Sequence, residues 1–316
     1  MKDATIALMI RGWDPAEWVE SLKRTIPDID LRVYPEMGES DDIAYALVWN
    51  PDAAALRACS NLKAIFSLGA GVDHILKHEG LPDVPIVRVV DPDLTMRMSE
   101  YVVWRVLDHH RHGALYRARQ AARDWREDAQ PAAWEVRVGV MGLGELGRDA
   151  AEKLKVMGFD TAGWSRSPKE IPGIASYSGA EGLDAMLART DILVSLLPLT
   201  EGTRGLIDAE LLSRLPQDGA LGGPYLVNAG RGGSQVEKDI LAALDAGTLK
   251  GASLDVFEAE PLPEDSPLWS HPNVFVTPHN ASMSAPEPLC LYVERQIARM
   301  EKGEPPDNIV DPARGY

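Results

Sequence analysis

Cysteine is almost missing from this chain. Cys59 and Cys290 are the only two, far apart and without CxxC or metal-ligand spacing, so a disulfide framework is excluded and both read as reduced packing residues. No uninterrupted apolar run reaches transmembrane length. Asp3 precedes a short apolar stretch that Arg11 ends, with no small-residue cleavage site. No secretory signal is therefore predicted, and the protein is expected in the cytoplasm. Positive charge is in deficit: 32 basic residues face 48 acidic ones, a formal net charge of −16. That balance argues against nucleic acid or an anionic membrane as partner and favours solubility. Neither a repeat of solenoid period nor a long low-complexity segment occurs.

What is present is an alternation of short apolar segments with helical or loop stretches, over a length that suggests about two domains. Strand-like runs at 5–10, 31–34, 45–49, 62–68 and 86–90 predict a small open α/β layer. One long helical pattern follows over 94–126, with Tyr101, Val102, Leu107 and Leu115 toward buried faces, and reads as a domain connector. Runs at 138–141, 159–164, 192–197, 225–228, 252–256 and 274–277 predict a doubly wound sheet. A last helix over 288–301 leads to a Pro/Gly-rich tail, 303–316, expected to pack back on the first domain.

The run at 138–141 ends in Gly142-Leu-Gly144-Glu145-Leu146-Gly147, then a helical stretch and a second strand. This is the order of a dinucleotide-binding βαβ unit, the Rossmann type. Gly142 and Gly144 allow the tight turn and the approach of backbone to pyrophosphate. Gly147 lets the helix pack on the strand with its N-terminus toward the anion. The second strand ends in Ser165-Arg166-Ser167 where an NAD-selective site would present a carboxylate to the ribose. A cation flanked by hydroxyls suits a 2'-phosphate, so NADP(H) is the preferred cofactor, with NAD(H) as the second choice. Asp160 lies at the start of that strand, far from the ribose.

In open α/β sheets ligands lie beyond the carboxyl ends of the strands, so polar residues just after predicted strands carry the chemistry. Arg231 follows 225–228, Glu260 follows 252–256 and His279 follows 274–277. Together they suit hydride transfer to a 2-keto acid. His279 can donate the proton to the carbonyl oxygen, Glu260 can orient the ring and favour its charged form, and Arg231 can fork onto the substrate carboxylate or carbonyl. A second glycine turn, Ser67-Leu-Gly69-Ala70-Gly71-Val72-Asp73, could present backbone N–H groups to a carboxylate, and Trp49 and Met96-Arg97-Met98 could wall the pocket. His109, His110 and His112 sit on a helix where only the first and last share a face, with no third ligand. They are read as surface or interdomain residues, and no metal is expected.

With these residues in hand, the chain resembles the D-isomer-specific 2-hydroxyacid dehydrogenases over essentially its whole length, and within them the bacterial glyoxylate/hydroxypyruvate reductase A group. The resemblance rests on Tyr45-Ala-Leu-Val-Trp49, Leu68-Gly-Ala-Gly-Val-Asp73, the Gly142–Gly147 turn, Trp164-Ser-Arg166, Leu196-Leu-Pro198, Leu254-Asp-Val-Phe257, Glu260-Pro-Leu-Pro263, Ser266-Pro-Leu-Trp269, Thr277-Pro-His279 and Ala313-Arg-Gly-Tyr316. It implies Arg231, Glu260 and His279 as the catalytic trio, and Trp49, Ala70, Gly71, Val72 and Arg231 as substrate-binding positions. The cofactor positions it implies are Gly142, Gly144, Glu145, Leu146, Gly147, Ser165, Arg166, Ser167, Leu197, Pro198, Ala229, Gly230 and Asp255. It also implies NADPH as cofactor and a homodimer formed through the cofactor domain.

The expected architecture is α/β: a Rossmann cofactor domain over 98–283 and a smaller flavodoxin-like substrate domain from 1–97 and 284–316. The expected reaction is NADPH-dependent reduction of glyoxylate and hydroxypyruvate. A dehydrogenase of a larger or different 2-hydroxy acid, or a non-catalytic dinucleotide sensor, stands as the alternative. Two segments depart from the family pattern. The stretch 217–224 is a few residues longer than the usual turn before the Arg-bearing strand, and Asn280 with Ser282 replaces more apolar residues after the histidine, which bears on substrate preference.

Overall fold

The run Thr-Ile-Ala-Leu-Met-Ile has no polar face, and it forms β1 (Thr5–Ile10), an interior parallel strand buried on both sides. The computed structural model describes residues 5–316, so Asp3 lies outside the described residues. The chain divides into two units, Met1–Leu94 with Ser284–Tyr316, and Thr95–Met283.

In the first unit β1 is followed by α1 (Ala16–Thr25), β2 (Asp30–Val33), β3 (Ile43–Trp49), α2 (Ala53–Ala58), β4 (Ala64–Ser67), α3 (Asp73–Leu76) and β5 (Ile86–Val87). The sheet order is β2-β1-β3-β4-β5, every pair parallel. Strand periodicity divides the core. Ile6 and Leu8 with Tyr45 and Phe66 meet Trp18 and Leu22 of α1 and Leu289, Tyr292, Val293 and Ile297 of the C-terminal helix Pro286–Glu301. Ala7 and Met9 with Ala46, Val48 and Ile65 meet Leu56, Val72 and Ile75 on the other face. Asp52 caps α2, its Oδ1 accepting from the N–H groups of Ala54 and Ala55 at 2.8 and 3.0 Å. The tail packs back on this unit: Val310 N–H donates to Ile86 O at 2.8 Å.

The second unit opens within α4 (Pro92–His110), which α5 (Gly113–Ala122) follows. The single long helix expected over 94–126 is therefore broken. His112 turns left-handed (φ 56°), which ends the α4 axis, and a side chain at Gly113 would meet Asp108 Oδ1 at 2.0 Å, so only glycine fits at the start of α5. Asp108 holds the corner with charge, pairing with Arg117 of α5 at 2.9 Å and with the buried Arg105 at 2.9 Å.

Then come β6 (Arg137–Met141), α6 (Glu145–Val156), β7 (Asp160–Ser165), β8 (Ala175–Ser178), α7 (Gly179–Leu187), β9 (Ile192–Ser195), α8 (Ala209–Ser213), β10 (Tyr225–Asn228), α9 (Glu237–Asp245), β11 (Gly251–Leu254) and β12 (Val274–Val276). The order β12-β11-β10-β9-β6-β7-β8 is parallel throughout. It reverses between β6 and β9, which places the switch point of the winding beside Gly142. β8 was not expected. Its Ala-Ser-Tyr-Ser sequence is an edge strand without an apolar run, and only its pairing with β7 makes it a strand. The long segment 217–224 is anchored by Leu221, buried in the core, and leads straight into β10.

Among the described residues no helix is long and apolar enough to cross a membrane, and no group of three or more His, Cys, Asp or Glu could hold a metal ion. His109 and His110 are buried and committed elsewhere: His109 Nε2 lies 2.8 Å from Ser253 Oγ, and His110 Nε2 lies 2.8 Å from Pro131 O. Burial and the nearby Arg105 push His109 down to about 3.

Candidate active site

The turn after β6 is packed backbone against backbone. Gly142 takes φ 102° and donates to Trp164 O at 2.8 Å, and a Cβ at Gly147 would lie 1.8 Å from Gly142 O. Only hydrogen fits at both positions, which brings the first turn of α6 directly over the end of β6. Gly144, which caps α6 without a side-chain hydrogen bond, has open space where its Cβ would be, so no neighbour crowds the turn at the helix start, whose first N–H groups suit an anion. Glu145 is exposed there and Leu146 half-buried.

Parallel pairing of β6 with β7 sets Trp164 level with Met141, and this register brings Ser165, Arg166 and Ser167 to the same end of the sheet. Arg166 and Ser167 are exposed, whereas Ser165 is buried and its hydroxyl donates to Ser167 O at 2.8 Å, closing the loop that presents Arg166. Asp160 pairs with Arg189 at the opposite end of β7. Leu197 and Pro198 follow β9, and Ala229 and Gly230 follow β10; Leu197 and Gly230 lie in close backbone contact. This lined, glycine-floored edge fits a dinucleotide.

Arg231 is carried by a turn built on Asn228. That buried amide accepts from Gly230 N–H at 3.1 Å and donates to Gln235 Oε1 at 2.8 Å, while Ser234 Oγ donates to Arg231 O at 2.6 Å. Arg231 Nη1 donates to Gly230 O at 2.8 Å, which steadies the guanidinium.

His279 Nδ1 lies 2.7 Å from Glu260 Oε2, and Glu260 Oε1 accepts from Phe257 N–H at 3.0 Å. Burial works to raise the Glu260 carboxyl, but the hydrogen bond and charge of His279, the Phe257 N–H and the charge of Arg231 outweigh it and hold it below the usual carboxylate range. His279 and Arg231, which follow two other strands, thus both act electrostatically on Glu260 within this unit.

His279 itself is left-handed (φ 52°), a conformation unfavourable for a residue with a Cβ. Asp255 compensates. Its carbonyl oxygen accepts from His279 N–H at 2.8 Å, and its carboxylate accepts from the N–H groups of Asn280 and Ala281 at 3.0 Å each and from Thr277 Oγ1 at 2.6 Å. Because the Thr277 hydroxyl donates to Asp255, the Tyr101 hydroxyl 2.8 Å away donates to Thr277. Asp255, expected among the cofactor positions, is 1% exposed and its carboxylate serves the histidine loop; burial pushes its carboxyl up and Tyr101 up to about 12. The Asn280 and Ser282 departure begins on this loop, where Asn280 contributes backbone. Of the Met96-Arg97-Met98 segment, Met98 is core, while Arg97 lines a cleft of about 360 Å³ with Glu100, Tyr101, Trp104, Asn280 and Met283.

In the first unit, the turn after β4 carries Gly69, Ala70, Gly71 and Val72. Ala70 and Gly71 are partly exposed, and Val72 is buried. Trp49, at the end of β3, lies over it so closely that a Cβ at Gly69 would stand 2.5 Å from Trp49 Cζ3. Trp13 stacks on the same indole at 5.0 Å and His74 packs against it at 4.6 Å. Sequence reading did not single out Tyr101 and Thr277 as polar partners, nor Trp13 and His74. The only available signal was position, Thr277 two residues before His279 and His74 directly after the glycine turn.

Residues 103–281 match the family profile described as D-isomer specific 2-hydroxyacid dehydrogenase, NAD binding domain. The chain is 44% identical over 310 residues to glyoxylate/hydroxypyruvate reductase A of Salmonella newport, covering 96% of this chain and 97% of the relative. Among solved structures it superposes on the NADPH-dependent glyoxylate/hydroxypyruvate reductase of Sinorhizobium meliloti, in complex with NADP and sulfate, with TM-score 0.95 and 48% identity over 99% of this chain and 100% of that one. A probable 2-hydroxyacid dehydrogenase of Rhizobium etli, in complex with NADP, HEPES and L(+)-tartaric acid, matches with TM-score 0.93 and 50% identity, covering 99% of each chain. The chain belongs to the D-isomer-specific 2-hydroxyacid dehydrogenase family.

Proposed function

We propose that the protein is an NADPH-dependent reductase of small 2-keto acids, converting glyoxylate to glycolate and hydroxypyruvate to glycerate. The observation that carries this reading is the His279–Glu260 pair at 2.7 Å, with Arg231 charge acting on it, in the unit that matches the dinucleotide-binding family profile. The Salmonella newport and Sinorhizobium meliloti relatives, named as reductases of these acids, support the substrate, and NADP in the Sinorhizobium meliloti and Rhizobium etli structures supports the cofactor.

The turn Gly142–Gly147 with Glu145 and Leu146, and Leu197, Pro198, Ala229 and Gly230, would hold the dinucleotide, with Arg166, Ser165 and Ser167 toward the 2'-phosphate. When bound, NADPH supplies the hydride. Arg231 receives the substrate carboxylate or carbonyl and stabilises negative charge as it develops on the oxygen. With Nδ1 engaged by Glu260, Nε2 of His279 is the ring nitrogen that gives the proton to that oxygen. Glu260 keeps the ring oriented, and Asp255 keeps the loop bearing it in place. On the first unit, the amides of Ala70, Gly71 and Val72 receive the substrate carboxylate and Trp49 walls its small remainder.

We further propose a cytoplasmic homodimer assembled through the cofactor-binding unit. From α4 to the start of β6 the side chains of Trp104, Leu115, Trp125 and Trp134 are exposed, Trp125 by 96% and Trp134 by 75%, large apolar groups of the kind that a second copy would cover.

The test is steady-state oxidation of NADPH and NADH with glyoxylate, hydroxypyruvate, pyruvate and a bulkier 2-keto acid. NADPH-linked turnover of the two small acids is the expected result. Binding of NADPH without turnover of any keto acid would overturn the reading.

A further inference from the structure

His74 takes no part in the chemistry above, yet it is buried at 8% exposure and bonded at both ring nitrogens. Nδ1 accepts the N–H of Asn50 at 3.0 Å, so the proton resides on Nε2, which donates to Ser67 Oγ at 3.0 Å. Ser67 Oγ in turn has the carbonyl oxygens of Gly69 and Gly71 at 2.9 Å each. One imidazole therefore ties the end of β3, at Trp49 and Asn50, to the glycine turn after β4.

Two consequences follow for the turn. A trans peptide points its C=O and the following N–H in opposite directions. With the carbonyls of Gly69 and Gly71 drawn to Ser67, the N–H groups of Ala70 and Val72 point away from its hydroxyl. The same imidazole packs on Trp49 at 4.6 Å while Trp13 stacks on it at an interplanar angle of 12°, and both contacts favour the indole's place above Gly69. Asn50, left-handed at φ 46°, is held by its N–H bond to His74 and by Lys77 Nζ, which donates to Asn50 Oδ1 at 2.7 Å.

We infer that His74 is a positioning residue for a substrate carboxylate, aiming the Ala70 and Val72 amides through Ser67 and fixing Trp49 as the wall beside them. This rests on the proposed reduction of 2-keto acids. Its ligand class is a small 2-oxo carboxylate, and its contribution lies in substrate binding rather than in proton transfer.

The test compares wild type with His74→Leu, which keeps bulk against Trp49 without hydrogen bonds, and His74→Gln, which keeps a donor toward Ser67. His74→Leu is expected to raise KM for glyoxylate by about tenfold or more while kcat and NADPH affinity stay within about threefold, with His74→Gln in between. A purely structural role would lower kcat, cofactor binding and the melting temperature together. Should His74→Leu fail to fold, Ser67→Ala removes the hydroxyl that gathers the carbonyls and is expected to raise KM in the same way.

Oxamate binding to the NADPH-loaded protein, followed by calorimetry, reads the same site without turnover. If wild type binds oxamate but reduces no keto acid, the proposed reaction fails while a weakened oxamate affinity in His74→Leu still upholds the role of His74. An oxamate affinity and a glyoxylate KM both within twofold of wild type in folded His74→Leu would overturn the inference, as would a wild type that neither binds oxamate nor turns over a keto acid.

Discussion

His279 Nδ1 stands 2.7 Å from Glu260 Oε2 although the two residues lie on different loops, one after β12 and one after β11. The contact leaves Nε2 as the nitrogen for proton transfer. Replacing the ring therefore removes the proton donor and leaves the dinucleotide turn intact. For His279→Ala, kcat is expected to fall by about 100-fold to 10,000-fold with NADPH affinity retained. Steady-state kinetics alongside a cofactor titration checks this, and near-normal turnover would remove His279 from that role.

Glu260 links the same pair to pH. Burial would raise its carboxyl, but His279, the Phe257 N–H and Arg231 together lower it. A carboxyl depressed in the folded state adds stability that is fully present above its unfolded value, about pH 4.3, and is lost as pH falls through the lower folded value. Melting temperature measured against pH is expected to drop in the window below about pH 4.3, and to drop less steeply in Glu260→Gln. Parallel curves for the two proteins would contradict the coupling.

Thr277 joins Tyr101 to Asp255 with one hydroxyl. Thr277→Val leaves a buried phenol and a buried carboxylate each short of a partner, at a cost of about 1–3 kcal/mol. The loop that holds His279 left-handed is loosened with them, so kcat should fall while KM for the keto acid changes little. Thr277→Ser restores the hydroxyl and should recover both stability and kcat; failure of Ser to recover kcat would separate the hydroxyl from the effect.

Arg166 is presented at the end of β7 by a loop that Ser165 closes. A hydrogen bond to a charged phosphate contributes about 1.5–3 kcal/mol, so Arg166→Ala is expected to raise KM for NADPH by roughly 10-fold to 100-fold and to leave KM for NADH nearly unchanged. Equal losses for the two cofactors would take the 2'-phosphate away from this residue.

Much of the architecture was legible in the linear pattern. β1 and β10 have the spans expected, and β6 lies within a residue of it, because an interior parallel strand needs a short apolar run with no polar face. The glycine spacing at 142, 144 and 147 marked the first βαβ turn for the same local reason, since a Cβ at 147 would strike Gly142 O five residues earlier. The placement of Arg231, Glu260 and His279 just beyond strand ends was equally visible, as it needs only the strand boundaries. One edge strand and one corner were not. β8 has no apolar run to announce it, and the α4–α5 corner turns on a left-handed His112 beside a Gly113 that Asp108 leaves no room to replace.

The sequence by itself determined the two parallel sheets, the glycine turn and the strand-end positions of the polar residues, all consequences of side-chain period and backbone sterics within a few residues. Tertiary structure alone decided which polar atoms meet. Tyr101 reaches Thr277 across 176 residues of chain, Asp255 spends its carboxylate on the loop of His279, and His74 joins β3 to the turn after β4. Hydrogen bonds are directional and short, so their partners are settled only when the packed strands and helices have brought two distant segments into register.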